Sequence, residues 1–97
     1  MDRAFVYMLT NKPRGVLYVG MSNQNLARRI WEHHETKASR FTSRYNLERL
    51  VWFEACADVT EAAAFERRLK RWRRDWKIAL VERSNPDWRD LYLEICG

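Results

Sequence analysis

Glycine is scarce in this chain of 97 residues, which contains only three. So little glycine excludes a collagen-like architecture. Cysteine is equally sparse: Cys56 and Cys96 stand forty positions apart with no CxxC spacing. That pattern indicates neither a zinc site nor a redox motif, and two reduced, buried thiols are expected instead. No apolar run approaches the roughly 18 residues of a membrane span. Met1-Asp2-Arg3 leads straight into an alternating segment without a signal-peptide layout. A cytoplasmic protein with no membrane partner is the expectation.

What is present points to a folded domain. Hydrophobic residues make up 46% of the chain and there are five tryptophans, too much apolar mass for a disordered polypeptide. A chain of this length buries roughly two-thirds of its unfolded surface, enough for one modest core. A single domain spanning residues 1–97 is therefore expected. The net charge of +5 is compatible with an anionic partner, and its distribution is more informative. Residues 66–77 (ERRLKRWRRDWK) hold seven Lys/Arg against two acids, a net charge equal to that of the whole protein.

The order of elements follows from periodicity. AFVYMLTN, from Ala4 to Asn11, is rich in aromatic and branched residues; NKPRG supplies turn chemistry, and GVLYVGM resumes strand character. With a four-residue loop, Asn11 to Arg14, Tyr7 is expected directly opposite Tyr18, with Cβ atoms roughly 5 Å apart. An odd loop without a bulge would put the two phenols on opposite faces. Ser22 and Asn23 offer N-cap chemistry for a helix over 24–35, on which Arg29 and His33 share a face. A basic loop (37–46) and a third strand (Glu48 to Cys56) follow. Thr60 can cap a long helix over about 61–83, with a break near Arg73-Arg74-Asp75; Phe65, Leu69, Trp72, Trp76 and Leu80 form its core-facing stripe. Asn85-Pro86 is expected to restart a short last helix through Leu91.

Taken together, Phe5-Val6-Tyr7, Tyr18-Val19-Gly20, Leu26-x-x-Arg29-x-x-x-His33, a glutamate on the long helix and Asn85 occur in an order that resembles the GIY-YIG nucleases. The small single-domain members are the most similar, through Phe41-Thr42-x-x-Tyr45, Leu50-Val51-x-Phe53-Glu54, Lys70-x-Trp72-x-Arg74 and Asn85-Pro86-x-Trp88-x-Asp90-Leu91. The resemblance runs from residue 5 to about 91. It implies an α/β (α+β) fold, with a small, mainly antiparallel three-stranded sheet flanked by helices in the order β-β-α-β-α-α. It also implies a catalytic set of Tyr7, Tyr18, Arg29, His33, Glu66 and Asn85. Glu66 would be the single protein ligand of Mg²⁺ or Mn²⁺, Arg29 would fork onto the scissile phosphate, and Tyr18, assisted by Tyr7 or His33, would handle the attacking water. Departures from the family pattern are Phe5 where relatives have glycine, Met21 where some carry lysine, and His33 where some carry tyrosine.

Each residue also has a plain structural reading. The tyrosines suit half-buried strand positions, Glu66 can pair with Lys70 one turn on, Asn85 can serve only as a cap, and Trp72, Trp76 and Trp88 read as core. Nucleic-acid contacts are expected from Arg67, Lys70, Arg71, Arg74 and Lys77, and from Arg40, Arg44 and Tyr45. The leading expectation is a divalent-metal-dependent endonuclease for structured or damaged DNA. Two alternatives stay open: a binding module of the same fold that cuts weakly or not at all, and an interaction protein whose basic helix docks an acidic partner. RNA is open too, since the sequence has no recognisable device for sensing a 2′-hydroxyl.

Overall fold

A computed structural model describes residues 4–22, 25–36 and 49–96. Its strands are β1 (Ala4–Thr10), β2 (Leu17–Ser22) and β3 (Arg49–Cys56), and its helices are α1 (Leu26–Thr36), α2 (Val59–Arg71), α3 (Arg74–Ser84) and α4 (Tyr92–Cys96). The strands form one antiparallel sheet in the order β2-β1-β3. As the middle strand, β1 is covered on both faces, which is why AFVYMLT is apolar almost throughout.

Alternation along β1 sorts the core into two layers. Ala4, Val6 and Met8 face Ala62 and Leu69 of α2, Val81 of α3 and the buried Trp88. Phe5, Tyr7 and Leu9 face the other way, toward Leu26 and Ile30 of α1 and toward Leu91, Tyr92 and Ile95. On β3 the register shifts between Met8 and Leu9: Met8 pairs with Trp52 and Leu9 with Leu50. Val51 is the extra residue of this bulge, and it joins Trp52 in the first layer while Leu50 and Phe53 pack in the second.

The hairpin loop is longer than expected. Thr10 pairs with Leu17, so six residues, 11–16, make the turn. The Asn11 side chain crosses the loop to accept from the Val16 amide at 3.1 Å, and Thr10 Oγ1 donates to the Lys12 carbonyl at 2.9 Å. Arg14 takes a left-handed conformation (φ 55°). Its guanidinium donates two hydrogen bonds to Glu82 on α3, at 2.9 and 3.0 Å, and its carbonyl accepts from the Arg74 guanidinium. The loop tip is thus tied to α3, and Glu82 is held below its ordinary carboxylate range by Arg14 and then by the Trp88 indole.

The helix ends also differ from expectation. Asn25 caps α1 by accepting from the Arg28 amide at 3.0 Å, in place of Ser22 or Asn23. Asp58 caps α2 by accepting from the Glu61 amide at 2.8 Å, and Thr60 lies inside the first turn. The helical stretch does break, at Trp72 and Arg73, both extended. That interruption resets the helical phase, so Trp76 leaves the apolar stripe and is 50% exposed, against the core position expected of it. Trp72 is half-buried and packs edge-on against Trp76 at 6.0 Å.

Asn85 does not start a helix. It is the C-cap residue of α3, and the last helix begins only at Tyr92. The buried Asn85 amide donates to the carbonyls of Val51 (3.1 Å) and Arg89 (2.9 Å), and its oxygen accepts from the Arg89 amide (3.1 Å). With Leu91 N donating to Leu50 O at 2.7 Å, these bonds stitch residues 85–91 along β3. Asn85→Ala strands those three backbone groups, each with a desolvation cost of about 1–3 kcal/mol, partly relieved by relaxation. A loss of about 2–4 kcal/mol in urea unfolding is expected. Asn85→Asp, which points oxygen at two carbonyls, should be at least as damaging.

Candidate active site

The polar feature at the heart of the second layer is the Tyr7 phenol. Tyr7 pairs with Gly20 across the hairpin, and Tyr18 pairs with Leu9. The tyrosines are therefore diagonal neighbours, two places off the direct opposition expected from a four-residue loop. The six-residue loop keeps the count even, so both still point to one face. A diagonal pair is about 7–8 Å apart at the backbone, within reach of two aromatic side chains.

Gly20 makes this packing possible. A Cβ at position 20 would lie 2.7 Å from both Cζ and Oη of Tyr7 and 3.0 Å from Cε1 of Tyr18. The phenol occupies the volume that any other residue's side chain would need. The sequence shows Tyr18-Val19-Gly20 as a motif but gives no hint that its glycine is a seat for Tyr7; only the cross-strand pairing reveals it.

Arg29 comes to the same place from α1. Leu26 and Ile30 are buried against the sheet, and Arg29, between them, is half-buried at the margin of that contact. Its guanidinium hydrogen-bonds the Tyr7 phenol. Burial pushes Tyr7 up to about 12; the bond to Arg29 and its positive charge oppose this, while Tyr18 and Glu66 add to it. Tyr18, Arg29 and Glu66, from β2, α1 and α2, are thus all near enough to act on Tyr7 of β1.

Glu66 follows Phe65 on α2, with its side chain 22% exposed and 3.5 Å from the Lys70 ammonium. Among the described residues no three His, Cys, Asp or Glu side chains gather as a metal cage. A lone reachable carboxylate still suits a hard cation such as Mg²⁺, which takes oxygen ligands and retains most of its water. The described residues supply no nitrogen or sulfur cage of the kind a softer metal needs.

The remaining expected site residues fall elsewhere or outside the described residues. Asn85 gives both amide hydrogens to Val51 and Arg89, so its bonds brace the β3 edge. His33 lies on α1, but its side chain is outside the described residues, as are Arg40, Arg44 and Tyr45 altogether. Arg67, Lys70, Arg71 and Arg74 are exposed, and Lys77 is half-buried. Arg68, which sequence reasoning did not single out, lines a surface concavity with Ala64, Arg67 and Arg71 and lies 5.4 Å over the Phe65 ring. Its spacing of three and four residues from Arg71 and Ala64 was the available signal.

Comparison with known proteins agrees with this arrangement of elements. The GIY-YIG catalytic domain model matches residues 3–79. The UPF0213 protein DP2720 of Desulfotalea psychrophila is 35% identical over 89 residues, which cover 91% of this chain and 79% of that protein. No solved structure matches.

Two measurements check the packing. The Tyr7 pKa is raised from 10.0 to about 12, so the stability it contributes is complete below about pH 10 and disappears as pH rises through about 12. In a rapid alkaline jump followed by ultraviolet absorbance, one phenol should ionise last, near 12, and Tyr7→Phe should remove that step. Gly20→Ala should destabilise by about 1–3 kcal/mol through overpacking. Its loss should shrink in the Tyr7→Phe background, where the phenolic oxygen is gone.

Proposed function

The chain belongs to the GIY-YIG family, and on that premise we propose that it is a divalent-metal-dependent endonuclease that hydrolyses phosphodiester bonds of DNA. The family places it among nuclease-type folds. The observation that carries the reading is the Arg29 guanidinium bonded to the Tyr7 phenol, with Tyr18 and Glu66 acting on the same group.

Each residue takes the part its surroundings allow. Arg29 binds the scissile phosphate, where a planar, permanently charged fork meets two oxygens at once. Tyr7, fully buried and with its pKa near 12, stays a neutral phenol at physiological pH. Its oxygen accepts from Arg29 and so orients that guanidinium, its O–H is left to donate to a phosphoryl oxygen, and it is a poor base. Tyr18 is half-buried on the edge strand β2 and is the better placed of the two to orient or deprotonate the attacking water, with His33 as its assistant from α1. Glu66 would hold Mg²⁺ or Mn²⁺; such an ion, when bound, lowers the pKa of its water and neutralises the charge of the departing oxygen.

Arg67, Lys70, Arg71, Arg74 and Lys77, with Arg40, Arg44 and Tyr45, supply the phosphate-contacting surface. Contacts of that kind are largely sequence-independent and weaken steeply with salt. They suit structured or damaged DNA in the cytoplasm, and they suit an RNA backbone equally well. A weakly cutting binding module is the second reading, and the 3.5 Å pair between Glu66 and Lys70 favours it by giving the glutamate a structural partner.

Nicking of supercoiled and branched DNA distinguishes them. The wild type should cut with Mg²⁺ or Mn²⁺ and stop when the metal is chelated. Glu66→Ala and Arg29→Ala should each lose about 100-fold or more, the scale of removing one transition-state charge stabiliser. Equal cutting by all three proteins would sink the proposed site, and binding without cutting would establish the second reading.

A further inference from the structure

At the end of the hairpin loop, Val16, Leu17, Arg74 and Lys77 line a cleft of about 240 Å³; Leu17 and the helix that carries the two cations pack in the layer opposite the tyrosines, and Val16 packs in theirs. Two of its walls are apolar and two are cationic. Lys77 is half-buried there, and burial together with the neighbouring Arg74 holds its ammonium below the ordinary lysine range. The nearby acids are engaged elsewhere: Asp75 lies 3.5 Å from Arg73, and Glu82 takes both bonds from Arg14. Arg74 is fixed at the rim because its guanidinium donates to the Arg14 carbonyl. Two positive charges are thus kept side by side, one of them partly out of water, in a concave place that an anion would relieve.

The position of the cleft identifies the anion. Leu17 and Tyr18 are consecutive on β2 and so point to opposite faces of the sheet. Among the described residues β2 is an outer strand, paired with β1 alone. A polyanion lying across that edge meets Tyr18 on one side and the Arg74–Lys77 cleft on the other. From Leu17 to Gly20, where the Tyr7 phenol sits, is three residues of strand, roughly 10 Å. The cleft also lies toward the other face, so the backbone path between the two is longer than this, a few nucleotides at about 3.4 Å of axis each.

We propose that the Val16–Leu17–Arg74–Lys77 cleft is a phosphodiester subsite, which holds the nucleic-acid backbone a few nucleotides from the scissile phosphate as the strand passes over the β2 edge. This rests on the reading of the protein as one that handles nucleic acid. It goes beyond that reading by dividing the basic run into parts and by placing one contact on the face opposite the tyrosines. The Lys77 ammonium and Arg74 guanidinium grip phosphate oxygens, while Val16 and Leu17 pack against the sugar. The other occupant of such a cleft would be a carboxylate of an acidic protein.

The test is binding of a fluorescein-labelled DNA oligonucleotide with EDTA present, across a salt series, for wild type, Lys77→Gln and Lys77→Arg. Lys77→Gln should weaken binding several-fold and reduce the slope of log K against log salt by about 0.9, the loss of one phosphate contact. Lys77→Arg should restore both. Amide resonances of Val16, Leu17 and Lys77 in the wild type should shift on titration with the same oligonucleotide, a readout that needs no variant. An unchanged slope in Lys77→Gln, or shifts confined to the Tyr18 and Arg29 face, would overturn the subsite. So would polyglutamate that competes with the oligonucleotide and shows the same dependence on Lys77. Cutting with an unchanged slope removes the subsite and leaves the nuclease; a Lys77-dependent slope without cutting removes the nuclease and leaves the subsite.

Discussion

The Tyr7 phenol lies against bare backbone at Gly20, and the rest of the candidate site is arranged around that contact. The Tyr7 ring can lie there only because its cross-strand partner has no Cβ. The hairpin register must therefore pair residue 7 with residue 20, which in turn fixes which face receives Tyr18. Once inside, desolvation moves the phenol's ionisation still further above neutral pH, and it meets the Arg29 guanidinium. A neutral donor beside a permanent cation is an arrangement for receiving an anion.

Holding the register falls to groups far from the phenol. The hairpin tip is clamped at Arg14 by Glu82 and Arg74, and Glu82 also receives the Trp88 indole at 2.8 Å. Trp88 is itself left-handed (φ 56°), a conformation uncommon outside glycine, and is kept there by its buried ring and by Arg49, which donates to its carbonyl at 3.0 Å. Asn85 then joins this segment to β3. α3 thus connects the two strands that flank β1, so the central strand is braced from both sides.

The same architecture divides a run of like charges into different roles. Within residues 66–77, Lys70 lies against Glu66, Arg73 stacks on Trp76 at 4.9 Å, Arg74 serves the hairpin and Lys77 enters a cleft. Arg67, Arg68 and Arg71 remain on the open surface of α2. A linear count of charge treats these as one patch. The break at Trp72 and Arg73 turns the chain so that they face in several directions.

The order of strands and helices, the helix break and the shared face of the two tyrosines were legible in the sequence because they depend on local chemistry: side-chain period, turn residues and the parity of the hairpin loop. The membership of the chain was legible for the same reason, since motifs at fixed spacing mark fixed elements. The six-residue loop was not, because it rests on Asn11 reaching the Val16 amide and on Arg14 finding Glu82, sixty-eight positions away. Nor was the part played by Asn85: Asn-Pro is good chemistry for starting a helix, but a neighbouring carbonyl on β3 outbids that preference by accepting the buried amide. Trp76 left the core because a broken helix loses its phase. The sequence by itself determined which faces are apolar and which residues are suited to the chemistry. Only the tertiary structure decided which of them meet, because hydrogen bonds and burial between distant segments select among local arrangements of nearly equal energy.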